Sequence, residues 1–288
     1  MTYHNHTLLE NPDLHSHSRL SDGDLSPAAV VQRAAAHGVT MLALTDHDET
    51  AGLDEAVNEA HRCGLQLVPG VEVSASYCGV SVHIVGLHID YHHSQLLEGL
   101  AGIRSRRETR ARRISEALEK QGITDAFAGA RRFACNPQLL GRLHFARFLV
   151  AEGYVADVQA AFDRYLGQGR PACITTGWAA GLSEAVGWIR EAGGVAVLAH
   201  PGRYVLTAMQ MDQLFEQFMA CGGEAVEVVS SAHDVVMTEH YTRVARRRGL
   251  LASRGSDFHG VNEQRFDIGR CAPLPGGLQP VWSRWCSD

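Results

Sequence analysis

Histidine and carboxylate residues recur in short clusters along this chain of 288 residues. Asp13-Leu14-His15-Ser16-His17 comes first, with Asp22 in a Ser-Asp-Gly turn just beyond. Thr45-Asp46-His47-Asp48, Glu72, His83, Ala199-His200-Pro201 and Ser256-Asp257-Phe258-His259 follow in that order. Alternate side chains of an extended segment share a face, so His15 and His17 can reach one cation. A single His-x-His pair means little: His4-Asn5-His6 has the same spacing and reads as a frayed terminus. Clusters at the ends of apolar run after apolar run mean more, because satisfied core histidines would not fall so regularly. The donors are imidazole and carboxylate without thiolate, which suits Mn²⁺, Fe²⁺ or Zn²⁺ in open sites. They exceed the needs of one ion, so two or three divalent ions are expected, with Glu72 able to bridge two. Paired ions suit phosphoryl transfer, because they activate water and clamp the attacking and leaving oxygens.

Such a site needs strands whose ends converge. Val39–Thr45, Leu65–Val73, Val80–Leu87, Val195–Ala199, Ala225–Val229 and Leu250–Ser253 are short apolar runs that read as buried parallel strands, and a short one near Asp13–His15 opens the series. Helical periodicity fills the gaps at Ser26–His37, Thr50–Cys63, Leu182–Ala192, Asp212–Cys221 and Val235–Arg248. Ser26 is placed as an N-cap with Pro27 at the first helical position. This alternation predicts an α/β fold, a (β/α) barrel with catalytic groups at the C-terminal ends of its strands. Residues 104–170 break the alternation with helical patterns alone, and read as an all-helical insertion or lid between barrel segments 1–103 and 171–288. The insertion holds 13 Lys+Arg against 7 Asp+Glu, a formal +6 that leaves −12 on the remainder. An acidic body can hold cations, and a basic lid can attract an anionic substrate.

Hydrophobic residues make up 45% and charged residues 20%, ordinary values for a globular enzyme, and no apolar run is long enough to span a membrane. The first residues lack the basic and apolar regions of a secretory signal. Seven cysteines form no Cys-x-x-Cys pair and read as reduced, mostly buried thiols, which implies a cytoplasmic location.

Seven ordered motifs, D-L-H-S-H-S, S-D-G, T-D-H-D, G-V-E-V, H-I-V-G, A-H-P and G-S-D-F-H, resemble the PHP (polymerase and histidinol phosphatase) family. G-R-L-H-F-A-R at 141–147 and F-D-R-Y-L-G at 162–167 are similar to its YciV/TrpH-like branch. The resemblance implies a distorted (β/α)₇ barrel of TIM type with a trinuclear centre, for which manganese is the expected ion. One metal would take His15, His17, Glu72 and Asp257; a second Glu72, His83 and His200; a third Asp22, His47 and His259. Some family members carry histidine where Asp22 stands. The implied activity is hydrolysis of phosphate esters by a hydroxide shared between the first two metals, with Glu72, His83, Asp257 and Arg203 as the catalytic groups. The branch is associated with removing the 3′-phosphate of 3′,5′-nucleoside bisphosphates and with 5′→3′ trimming of short RNA.

Arginine forks match phosphate geometry, so Arg19 and Arg203, close in sequence to the ligands, are substrate-binding candidates. Arg142, His144 and Arg170 join them from the insertion and its exit. The Arg104–Arg113 run reads as a solvated helix face able to track a nucleotide backbone. A nucleotide or the 5′ end of a short RNA is the expected partner, with no membrane and no obligate protein partner. Two alternatives remain: a histidinol-phosphate phosphatase on the same barrel, and a non-catalytic nucleic-acid-binding PHP domain, which would be expected to have lost ligands.

Overall fold

Apolar runs of four to eight residues become strands here because each is covered on both faces. The computed structural model describes residues 11–175, 177–261 and 266–286. The pair His4 and His6 lies outside them. The strands are β1 (Pro12–Asp13), β2 (Met41–Leu44), β3 (Gln66–Tyr77), β4 (Val80–Leu87), β5 (Ala180–Gly181), β6 (Val195–Leu198), β7 (Ala225–Ser230) and β8 (Leu251–Gly255). Seven follow one another in the order β1-β2-β3-β4-β6-β7-β8, and the two-residue β5 attaches to β3. The ends of this path meet: Leu14 N–H donates to Arg254 O at 3.0 Å and His17 N–H to Phe258 O at 2.8 Å. The sheet is therefore a nearly closed, seven-stranded barrel. Leu14, Val68, Val85 and Val197 pack together with Val281 and Trp282, so the C-terminal tail packs against the barrel.

The strands are not all parallel as expected. β4 runs antiparallel to both β3 and β6. The cause is local: Cys78 and Gly79, with φ of 47° and 76°, make a two-residue turn that leaves no room for a crossover helix. β3 accordingly extends to Tyr77, four residues beyond the expected Val73. His83 thus lies in mid-strand, opposite Ser74, and reaches the site from the side of the barrel rather than from a strand end.

Helices α1 (Pro27–Ala36) and α2 (Leu53–Cys63) cover one flank. Ser26 caps α1 by accepting from Ala29 N–H, and Gly64 ends α2 in the left-handed conformation. Between β4 and β5 come α3 (Ser94–Glu119), α4 (Ala126–Arg131), α5 (Arg142–Ala151) and α6 (Val158–Ala161), which runs on into one π-turn. α3 begins ten residues before position 104. Its Leu96, Leu100 and Ile103 belong to the barrel's apolar cluster, whereas Ala111, Ile114 and Leu118 belong to a second cluster with Phe145, Phe148 and Leu166. The change of core therefore falls inside one continuous helix. α7 (Leu182–Glu191), α8 (Ala208–Ala220) and α9 (Val235–Arg248) complete the outer layer. α8 starts four residues earlier than its apolar period suggests, because Thr207 and Gln210 form a capping box.

All seven cysteines are free thiols, but the expectation of mostly buried ones fails. Cys63, Cys78 and Cys135 are exposed and Cys271 alone is buried. The exposed ones sit at a helix end, in the β3–β4 turn and in a loop, where backbone polar groups face water. No helix among the described residues is long and apolar enough to cross a membrane.

Candidate metal centre

Glu72 stands at the middle of the clustered residues, fully buried on β3. Its Oε1 lies 2.8 Å from His83 Nδ1 and 3.0 Å from His200 Nε2. Its Oε2 lies 2.9 Å from His47 Nδ1 and 3.3 Å from both His15 Nε2 and His17 Nε2. Five imidazoles thus converge on one carboxylate. Three groups of donor atoms are close enough to hold an ion: His15, His17, Glu72 and Asp257; His47, Glu72 and His83; and His17, Asp22, His47 and His259. Eight of the nine candidate ligands named from the sequence fall in these groups, with His17 and His47 shared more widely than the resemblance implies. The ninth, His200, stands beside them through its contact with Glu72, and His47 takes the place expected of it in the second group.

The donor atoms fit ions better than one another. His15 Nε2, His17 Nδ1 and Glu72 Oε2 are buried without a hydrogen-bond partner, despite the imidazoles 3.3 Å or less from Glu72. Buried polar atoms seldom lack partners, and these point at common spaces rather than along hydrogen-bond directions. The cluster is compatible with more than one divalent ion.

Charge is arranged to match. Burial would raise the Glu72 carboxyl, but His47, His83 and His15 outweigh it and hold it well below the usual range. Burial pushes His17 down to about 3, with His259 adding to the effect, and pushes His83 down to about 4 against the pull of Glu72. Both rings are therefore neutral and able to offer a lone pair. His259 goes the other way: Asp22 and Asp257 overcome its burial and raise it to about 9.

The acidic residues around the ligands are clamps. Asp46 accepts from Ser18 N–H and from the hydroxyls of Ser18 and Ser21, which fixes the loop between His17 and Asp22. Asp13 accepts from Ser256 and Gly269 N–H and so joins β1 to the loop after β8. Asp48 accepts from Ser74 N–H and the Arg107 guanidinium. Asp48, His200 and Asp257 all take positive φ, a strained conformation that concentrates at functional sites. Gly255 allows the seam between β1 and β8 to close, since a Cβ there would meet His15 Cβ at 2.3 Å.

The chain is similar to known proteins along most of its length. Residues 13–170 match the PHP domain family. The chain belongs to that family. A 3′,5′-nucleoside bisphosphate phosphatase of Chromobacterium violaceum is 46% identical over 274 residues, covering 95% of this chain and 96% of that protein. The 5′-3′ exoribonuclease Rnm of Escherichia coli is 41% identical, covering 95% and 93%. A C. violaceum structure, described as an amidohydrolase with bound sulfate and no metal, superposes with a TM-score of 0.91 at 46% identity and 95% coverage of each chain.

This PHP chain places its substrate-binding candidates unevenly. A cavity of about 340 Å³ opens onto Asp22, His47, His83, Asp257 and His259, and Arg142 and Arg203 line it. Arg203 Nη2 is 2.7 Å from Asp257 Oδ2. Arg19 is exposed and does not line it. Arg170 faces a separate shallow cleft beside Tyr154 and Arg164. His144 is buried and accepts from Gly141 N–H at the start of α5, so it caps a helix. Sequence neighbourhood misplaces these three because it says nothing of side-chain direction.

Other residues escaped notice. Glu227 on β7 is buried, and its Oε1 lies 2.6 Å from His15 Nδ1 while its Oε2 accepts from His200 N–H at 2.6 Å. Its signal was a lone acid within the apolar run Ala225–Val229. Arg104, Arg107 and Arg110 recur every third residue of α3, so the Arg104–Arg113 run is not simply a solvated face. Arg107 and Arg110 are buried and line the cavity, and Arg104 Nη1 donates to Asp48 O.

Proposed function

We propose that this chain is a metal-dependent phosphoesterase that removes the 3′-phosphate from 3′,5′-nucleoside bisphosphates and trims short RNA from its 5′ end. The observation that carries the reading is one cavity bounded by Asp22, His47, His83, Asp257 and His259 of the ligand cluster and by arginines. His15, His17, Glu72 and Asp257 would hold one ion, Glu72, His83 and His200 a second, and Asp22, His47 and His259 a third. Divalent ions there, which we assign as manganese, supply Lewis acidity and an activated water. Glu227 holds His15 with Nδ1–H turned away from the cluster, so Nε2 presents its lone pair. Arg203, tied to Asp257 at one side of its guanidinium, turns the other toward a phosphate oxygen, and the cluster side chains position the phosphorus for in-line attack. The relatives named as a bisphosphate phosphatase and an exoribonuclease support nucleotide substrates, and the sulfate of the C. violaceum structure has the tetrahedral shape of phosphate. The free thiols support a cytoplasmic location.

Phosphate release is measured with Mn²⁺-loaded protein against a 3′,5′-bisphosphate, histidinol phosphate and a short 5′-phosphorylated oligoribonucleotide. Turnover of the bisphosphate with a higher kcat/KM than histidinol phosphate is expected. Preference for histidinol phosphate would overturn the nucleotide reading, and no hydrolysis of any ester would overturn the enzymatic one.

A further inference from the structure

The side chain of Arg203 is 45% exposed, so packing alone does not hold its aim, although it is paired with Asp257. Its backbone is held instead. The turn Pro201–Arg203 follows directly on His200, and Arg203 N–H donates to His200 O at 2.9 Å to close it. Both neighbours of the arginine are pinned from behind. Tyr204, buried, donates its hydroxyl to Ala199 O at 2.7 Å and accepts from His83 N–H at 2.9 Å. Gly202 N–H donates to His233 Nε2 at 3.1 Å.

His233 is shaped for that contact. Glu227 of β7 pairs with Ser253 and Val229 with Arg254, so Val228 is the extra residue of a bulge. The carbonyl of Val228 accepts from His233 Nδ1–H at 3.1 Å. The ring is 3% exposed and stacks on Tyr241 of α9, with centroids 4.8 Å apart. Burial lowers its pKa, which keeps it neutral, and with the proton on Nδ1 the Nε2 lone pair faces Gly202. The close approach requires glycine, since a Cβ at 202 would meet His233 Cδ2 at 2.7 Å and Nε2 at 2.9 Å. Among the described residues, none of the donor groups that could hold an ion includes His233.

We propose that His233 is a positioning residue for Arg203: it fixes the Pro201–Arg203 turn so that the guanidinium meets an oxygen of the reacting phosphate at the ligand cluster. The assignment rests on the phosphoesterase reading above and extends it to a residue outside the donor groups. A guanidinium fork pairs with phosphate only at the right distance and in the right plane, and freedom in the turn would spread both. The bulge in β7 serves both tasks at once. Glu227 turns its carboxylate to His15 and to His200 N–H, and the next carbonyl turns to His233.

The test is a double-mutant cycle on kcat/KM in Mn²⁺-loaded wild type, His233→Leu, Arg203→Met and the double variant, with whichever ester wild type hydrolyses best. His233→Leu is expected to lower kcat/KM about tenfold to a hundredfold, the cost of misplacing a positioned group. The double variant should be no slower than Arg203→Met alone, because His233 acts through that arginine. His233→Gln, whose amide oxygen can accept from Gly202 N–H, should recover part of the loss. The Mn²⁺ concentration for half-saturation, read with a chelating dye, should stay within twofold of wild type throughout. Gly202→Ala presses on the same contact from the half-buried turn and gives the readout even where His233→Leu fails to fold. Unchanged kcat/KM in folded variants, losses that multiply in the double variant, or a shifted Mn²⁺ half-saturation would each overturn the positioning role and leave the phosphoesterase reading intact. Preference for histidinol phosphate overturns the nucleotide reading alone, since the cycle is then run on that ester. Wild type that hydrolyses no ester overturns the enzymatic reading and the role of His233 with it.

Discussion

Glu227→Gln changes one atom beyond the ligand cluster, and its effect on ion affinity follows from two contacts. In the wild-type protein both carboxylate oxygens accept, Oε1 from His15 Nδ1–H and Oε2 from His200 N–H, each at 2.6 Å. Glutamine keeps the shape but offers one acceptor and one donor. The backbone N–H of His200 cannot reverse its role, so the amide oxygen is expected to stay with it. The amide NH₂ then faces His15 Nδ1 and forces the other tautomer, which puts a proton on Nε2, the nitrogen 3.3 Å from Glu72 Oε2. That nitrogen can no longer give a lone pair to an ion unless the donors clash.

The loss amounts to one charge-assisted buried hydrogen bond, about 1.5–3 kcal/mol, or roughly a tenfold to hundredfold weaker ion affinity. Chelator-treated protein is titrated with Mn²⁺ against a competing chelating dye, and turnover is followed over the same range of ion. The half-saturating concentration should rise by that factor, while kcat at saturating ion recovers most of its wild-type value. Circular dichroism confirms that the variant is folded. Half-saturation within twofold of wild type would refute the reasoning, because it would show that the tautomer of His15 is set by something other than Glu227.

Three further outcomes are expected. Glu72→Ala should abolish Mn²⁺-dependent turnover in a protein that still unfolds cooperatively, since five imidazoles lose their common partner; retained turnover would remove Glu72 from the centre. Gly255→Ala should cost about 1–3 kcal/mol in urea unfolding and lower turnover, because its Cβ would press on His15 at 2.3 Å; an unaltered protein would show the seam to be loose. Arg107→Met leaves the buried Asp48 without its guanidinium and should cost about 3–5 kcal/mol, part of it recovered by adding Asp48→Asn; a loss below about 1 kcal/mol would mean that Ser74 alone satisfies Asp48.

The ligand cluster was legible because metal donors are few in kind and fall in order along the chain. His15, His17, His47, His200 and Asp257 each follow an apolar run, and a barrel gathers such ends by construction. His83 came with them for a reason the pattern did not show: the turn at Cys78–Gly79 reverses β4 and delivers it through the wall. Residues that act through another side chain were harder to read. Nothing in the composition of Ala225–Val229 says that its one acid faces a histidine 212 positions away. β5 has only two residues and no periodicity of its own. Arg19 and Arg170 failed for the opposite reason, since charge near a site in sequence need not turn toward it in space.

Asp48 connects these levels. It lies one residue past His47, takes φ of 50°, and accepts from Ser74 on β3, two residues past Glu72. It also receives Arg107, while its own carbonyl receives Arg104. One buried residue therefore fixes the loop that carries His47, the strand that carries Glu72 and the arginine face of α3. The motif Thr-Asp-His-Asp supplies a clamp, a candidate ligand and a second clamp in that order. α3 is tied to the centre near the point where it leaves the barrel's core for the second cluster. The buried ion pair Asp48–Arg107 is the contact that makes this tie.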